Sequence, residues 1–296
     1  MPSSDQCILC GARSFRFVFA PPGVCARALE RCTACSLLQM KPMPTDAELA
    51  DYYQRYDVMG EREPYYAASW GPEALDTPEG RDVRARFAWV RTHLGDPRRV
   101  LDVGSGPGLF LRLVRAAGGA PVGVELNARA AERSAREFDV PVLAGTLHDE
   151  STLFRDAFGA ITLWDLLEHV NDPAALVGRA HALLAPRGWL FIETPDESSL
   201  LDRTIGALAR VGVTFPANAF YGMHHLALFR PATIRRLLAE GGFEVVEIRG
   251  AGTTVSRVFR GSGAGQWALR AVLNVLFFCA KMLGKENKML IAARKR

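Results

Sequence analysis

Val100-Leu101-Asp102-Val103-Gly104-Ser105-Gly106-Pro107-Gly108 is a short apolar run that ends in three alternating glycines. Such a run reads as a buried strand, and a helix is expected to begin near Leu109. Glycine at 104, 106 and 108 removes side chains where the backbone turns tightly and approaches a ligand, with the helix N-terminus facing it. A dinucleotide fingerprint places Gly or Ala at position 109, where this chain has Leu, so the loop is G-x-G-x-G. The next apolar run, Val122-Gly123-Val124, ends in Glu125, seventeen residues after Gly108. A carboxylate there can accept hydrogen bonds from both hydroxyls of a ribose, which suits NAD or another adenosine cofactor.

Outward from this pair the chain alternates apolar runs with helical stretches. Arg99 to Val103, Pro121 to Glu125, Val140 to Leu143, Ala160 to Trp164 and Trp189 to Glu193 read as buried strands, and Phe243 to Ile248 and Met289 to Ala293 as two more at one edge. The fold class expected is α/β: a doubly wound, mostly parallel seven-stranded sheet with helices on both faces. Thr45 followed by Glu48 starts a short helix ending in Tyr52, Tyr53 and Tyr56, residues 57 to 78 read as loop, and Val83, Phe87, Val90 and Leu94 mark a helix over Arg81 to Leu94. A chain of 296 residues, 49% hydrophobic and 23% charged, is neither disordered nor collagenous, and it is long enough for a large domain with appendages.

One appendage is written in cysteine. Cys7-x2-Cys10 and Cys32-x2-Cys35, separated by 21 residues, have the spacing of a four-thiolate zinc ribbon, here slightly long. About 45 residues bury little surface, so the ion would supply folding energy, and four sulfurs leave no coordination position for catalysis. A redox role is the competing reading, but a thioredoxin-type motif is single and lies in a βαβ unit. Cys25 and Cys279 stand alone and read as small buried hydrophobes. The expected division is residues 1–45 as the zinc module, 46–95 as a helical cap and 96–296 as the main domain, with insertions at 196–222 and 251–286. Reduced thiols imply a cytoplasmic chain. MPSSDQCILC, with neither basic start nor apolar run, points away from a secretory leader.

LDVGSGPG, VGVE and Ile161-Thr162-Leu163-Trp164-Asp165-Leu166-Leu167-Glu168-His169-Val170-Asn171-Asp172-Pro173 together resemble class I S-adenosylmethionine-dependent methyltransferases, particularly the bacterial group related to ubiquinone-pathway O-methyltransferases. The resemblance covers roughly Arg99 to Gly250 and the last strand, which it implies to be antiparallel. It implies a Rossmann-like methyltransferase fold and S-adenosylmethionine as cofactor. Asp102, Gly104, Ser105, Gly106 and Gly108 would cradle the methionyl part, Glu125 and Leu126 the ribose, and Thr146 and Leu147 the adenine, while Trp164 and Asp165 would border the sulfonium and the acceptor. Gly145-Thr146 replaces the Asp that often meets the adenine amino group.

Methyl transfer asks of the protein alignment and, where needed, a base. His224 and His225 follow the fifth strand and its insertion, where the acceptor should lie, and imidazole titrates in the range a base needs. Either could instead be a structural imidazole. Asp165, Glu168 and His169 fall at i, i+3 and i+4, one face of a helix, and by resemblance are a magnesium set.

Leu201, Ile205, Leu208 and Val211, then Phe215, Phe220 and Tyr221, suggest a lid. Residues 266–284 form a second helical insertion with Arg270, Asn274 and Lys281 on one narrow face and Trp267, Phe277 and Phe278 elsewhere. From Arg249 onward ten Lys or Arg stand against Glu286 alone, +9, which leaves −5 for the rest of a chain whose net charge is +4. A basic tail around an apolar helix suits an anionic surface, and the helix either lies peripherally on the inner membrane face or packs on the lid or a second subunit. The expected acceptor is a small molecule, sugar or lipid-linked compound methylated at oxygen or carbon, by a monomer or homodimer. RNA methylation is the alternative enzyme reading, disfavoured because residues 1–45 lack a dense basic-aromatic platform. A non-catalytic recruitment protein with a vestigial cofactor fold is the alternative outside enzymes.

Overall fold

A computed structural model describes residues 5–20, 27–55, 67–95, 99–147, 157–213, 225–253 and 264–296. The N-terminal strands β1 (Phe15–Phe19), β2 (Ala28–Cys32) and β3 (Leu38–Lys41) form an antiparallel sheet. Helix α1 (Asp46–Arg55) follows, its start fixed by Glu48 accepting from the backbone N–H of Thr45 while Thr45 Oγ1 accepts from the N–H of Glu48. Helix α2 spans Pro78–Leu94, three residues earlier than its apolar pattern marks, because Thr77 caps it through Gly80 N–H and Pro78 fits the first turn. Residues 72–76, read as loop, form a 3-10 turn.

The main sheet is built from β4 (Arg99–Val103), β5 (Ala120–Glu125), β6 (Val142–Ala144), β7 (Phe158–Trp164), β8 (Leu184–Pro195), β10 (Phe243–Ala251) and β11 (Lys288–Lys295). Its order is β10-β11-β8-β7-β4-β5-β6, and β11 alone runs against its neighbours. All seven expected strands are present, the outermost pair included. Helices α3 (Leu109–Ala116), α4 (Ala128–Phe138), α5 (Pro173–Leu183), α6 (Leu200–Arg210), α7 (Pro231–Glu240) and α8 (Ala264–Met282) occupy the connections.

Side chains alternate across the sheet and so divide the core. Val100, Ala160, Phe191 and Leu290 face Trp89 and Val90 of α2 and Phe110 and Val114 of α3. Leu101, Ile161, Leu163, Leu190 and Ile192 face α5 and α7, and this cluster runs on without a break into Cys7, Ile8, Leu9, Cys32 and Leu37. Each such fully buried Leu or Ile contributes about 2 kcal/mol of apolar burial. The cysteine module is therefore packed on the main core, and strand β9 (Ala227–Leu228), from far along the chain, pairs with β3 as the fourth strand of the small sheet.

The carboxyl ends of β4, β5, β7 and β8 lie on one edge, and the sheet order reverses between β4 and β7. In a doubly wound sheet that is the crevice where a ligand binds.

Candidate active site

The glycine loop closes on β5: the N–H groups of Gly104 and Ser105 both donate to Val124 O, at 2.8 and 3.1 Å. Gly108 sits at φ 79°, and a Cβ there would lie 2.0 Å from Ser134 Oγ, so no other residue lets the loop meet α4 so closely. A side chain at Gly106 would meet nothing within 4 Å, which marks the open side of the loop, where a ligand has room.

Glu125 faces that opening. Its Oε2 accepts from Gly106 N–H at 2.8 Å and its Oε1 from Asn127 N–H at 2.9 Å. Burial pushes the carboxyl pKa up, and the N–H donors of Asn127, Gly106 and Leu126 pull against it. A carboxylate offers about four lone-pair sites. The two left after the backbone bonds suit two vicinal hydroxyls. Leu126 O accepts from Gln54 of α1 at 3.2 Å, so the cap helix rests against this end of the site.

Asp102 lies within the sheet, 2% exposed, accepting from Thr162 Oγ1 at 2.6 Å, and burial raises its pKa to about 7. Ser105 Oγ is buried and without a partner among the described residues. Leu147 is buried in the core with its carbonyl oxygen accepting from Arg179, while Thr146 beside it is half-buried. Trp164 ends β7, its ring 5.3 Å from that of Phe110 and its buried Nε1 without a partner among the described residues.

Asp165 takes a different place from the one its spacing suggests. The segment turns at a positive φ of 49° on Asp165 and then makes only a 3-10 turn over Leu167–His169, so 165, 168 and 169 do not share a helical face. Both Asp165 oxygens accept from Lys288 Nζ, at 2.6 and 2.7 Å. Lys288 also reaches Glu193 Oε1 at 2.7 Å, and Arg86 Nε binds Glu193 Oε2 at 2.7 Å. Two carboxylates and two cations thus form a closed set beside Trp164, which occupies Asp165 and removes it from the expected magnesium set. Sequence reading missed Arg86, Glu193 and Lys288; for Glu193 and Lys288 a charge at the end of an otherwise apolar strand was the available signal, while Arg86, within α2, carried none.

Glu168 and His169 find another partner, His225. One ligand atom from each of the three lies within 4.8 Å of the others. Glu168 is 1% exposed, with Oε2 accepting from Thr194 Oγ1 at 2.8 Å and Oε1 3.7 Å from His169 Nε2. The His169 and His225 rings are 5.1 Å apart, with Tyr53 of α1 edge-on to His169. Burial first, and then the nearby Asp165 charge, raise the Glu168 pKa to about 8, so near neutrality its carboxyl is largely protonated. Two imidazoles and one carboxyl are not the oxygen-rich set that magnesium takes. His224, the other expected base, lies outside the described residues.

The four cysteines converge. Cys7 Sγ and Cys35 Sγ are 3.5 Å apart, Cys10 Sγ and Cys32 Sγ 3.6 Å, and all four lie within 4.8 Å of one another. Tetrahedral zinc with sulfur at about 2.3 Å requires sulfurs about 3.8 Å apart, so the donor set fits that ion. The two knuckles are alike: Gly11 N–H donates to Cys7 O and Ser36 N–H to Cys32 O, with positive φ at both Gly11 and Ser36.

A parallel sheet with its last strand reversed, a glycine loop at the switch point and a carboxylate at the end of the next strand define the S-adenosylmethionine-dependent methyltransferases, and the chain belongs to that family. The family model for a methyltransferase domain matches residues 74–248. The chain is similar to the ubiquinone biosynthesis O-methyltransferase of Burkholderia pseudomallei, 30% identical over 191 residues that cover 61% of this chain and 80% of the relative. That of Thiobacillus denitrificans is 28% identical over the same shares. Among solved structures, magnesium protoporphyrin IX methyltransferase from Synechocystis aligns with TM-score 0.56 at 14% identity, covering 85% of this chain and 100% of that one. The Burkholderia thailandensis 1,6-didemethyltoxoflavin-N1-methyltransferase aligns with TM-score 0.53 at 18% identity, over 95% and 99%. These structural likenesses concern the fold.

Proposed function

We propose that this methyltransferase acts on a hydroxyl or an acidic carbon of a small-molecule, sugar or lipid-linked acceptor, with His225 as the base. S-adenosylmethionine supplies an activated methyl carbon when bound, so no protein nucleophile is needed. The Gly104–Gly108 loop and Glu125 hold and orient that cofactor by backbone and carboxylate hydrogen bonds. The observation that carries the acceptor reading is the Glu168–His169–His225 cluster at the carboxyl ends of β7 and β8. His225 takes the acceptor's proton as the acceptor atom attacks, and the buried Glu168 carboxyl fixes the imidazole pair beside it. The O-methyltransferase names of the sequence relatives support a hydroxyl acceptor. The four cysteines hold structural zinc, which needs no role in transfer.

The test is a mass-spectrometric screen for a methyl-sized gain on phenols, glycosides and lipid-linked phenols in the presence of S-adenosylmethionine. His225→Ala should lower kcat about a hundredfold with cofactor affinity unchanged. Full turnover by that variant on the best acceptor would remove His225 from the chemistry.

A further inference from the structure

We propose that the outward face of α8 seats the protein on an anionic lipid bilayer. The helix has two apolar sides. Leu273 and Ala280 are buried on one, where α8 packs on α6. On the opposite side Val272, Val275, Phe278 and Met282 are 62, 63, 65 and 71% exposed, and Leu283 follows at 65%. At 100° per residue these four fall within one arc of about 120°, facing away from Leu273 and Ala280. Between the two sides run Arg270, Asn274 and Lys281, the only polar strip along the helix where side chains are described. Phe278 rather than Phe277 carries the exposed aromatic ring, Phe277 being half-buried.

A solvent-facing arc of Val, Phe and Met is costly in water and gains when it enters an apolar phase. The charge chooses the phase. Exposed Lys281 and Lys285 adjoin the arc, and Glu286, the one acid after Arg249, is turned onto the backbone of Gly250 and Gly252. In a symmetric dimer the same patch meets itself, setting lysine against lysine. Anionic headgroups instead neutralise them while the arc reaches the acyl boundary. No described helix is long and apolar enough to cross a membrane, which fits a helix lying in the interface. The placement has a use as well: Lys285 O accepts from Leu200 N–H, and three residues on Lys288 binds Asp165, so α8 stands at the active-site edge of the sheet.

The full chain is floated with vesicles of phosphatidylcholine alone or mixed with phosphatidylglycerol, and calorimetry with S-adenosylmethionine reports on its fold. The expected result is flotation with the mixed vesicles only, weakened at least about tenfold by Phe278→Asp and by Lys281→Glu with Lys285→Glu, with cofactor affinity unchanged. Three results would overturn the proposal: no flotation with either vesicle, flotation that ignores Phe278→Asp, or a solution dimer broken by Phe278→Asp without any flotation. The last assigns the face to a second copy of the chain.

Discussion

Glu125 uses one lone pair of each oxygen on Gly106 and Asn127, so its carboxylate is already aimed before any ligand arrives. Glu125→Ala frees both backbone donors and removes the lone pairs proposed to meet the ribose, and calorimetry should show S-adenosylmethionine affinity reduced at least about thirtyfold, from two hydrogen bonds to a charged group. Asp102 carries a pH signature. Burial raises its folded value to about 7 from the ordinary 3.8, so the native state holds a proton that the unfolded chain releases. The stability this contributes is complete below about 3.8 and is lost as pH rises through 7, roughly 4 kcal/mol across the interval. Urea unfolding should therefore show that loss in the native protein between acid and neutral pH, and Asp102→Asn should remove the share due to Asp102, leaving the slope that the raised Glu168 carboxyl contributes. Lys288 is the third case. Replacing it with Met leaves Asp165 and Glu193 to Arg86 alone, an uncompensated charge that should destabilise the fold by about 3 kcal/mol in the same measurement.

At the level of elements, the sheet was legible because its strands are apolar runs closed by glycine or acid, and the glycine loop with Glu125 named the switch point. The Glu168–His169–His225 cluster was legible only in halves. Glu168 and His169 stand together in sequence, but His225 joins them through pairing that no local pattern encodes: Leu226 N–H donates to Glu168 O while Leu226 O accepts from Met40 N–H. Helical spacing at 165, 168 and 169 misled because Asp165 takes a left-handed turn. The segment after His225 is thus clamped between the main domain and strand β3. Zinc removal by a chelator, or Cys10→Ser, should cost β3 and residues 226–229 their hydrogen-exchange protection while β4, β5 and cofactor binding persist. Protection retained at 226–229 in the metal-free protein would show that the clamp stands without the ion.

Across the whole molecule the cysteine module and the sheet share one core, one strand pair and the Arg31–Glu197–Arg230 ion cluster, in which Glu197, two residues past β8, accepts from both arginines. Calorimetry of the zinc-loaded protein should accordingly give one transition rather than a separate low-temperature peak for residues 5–41; two resolved peaks would mean that the shared core does not couple them. The strand that completes the small sheet also sets an order of events in the cell. Residues 227–228 leave the ribosome about 190 residues after β3, a delay on the order of 10–40 s at ordinary rates of synthesis. For that time the Leu38–Lys41 edge has no neighbour, and its unpaired backbone groups stand open to any other nascent chain that could take the place kept for its own.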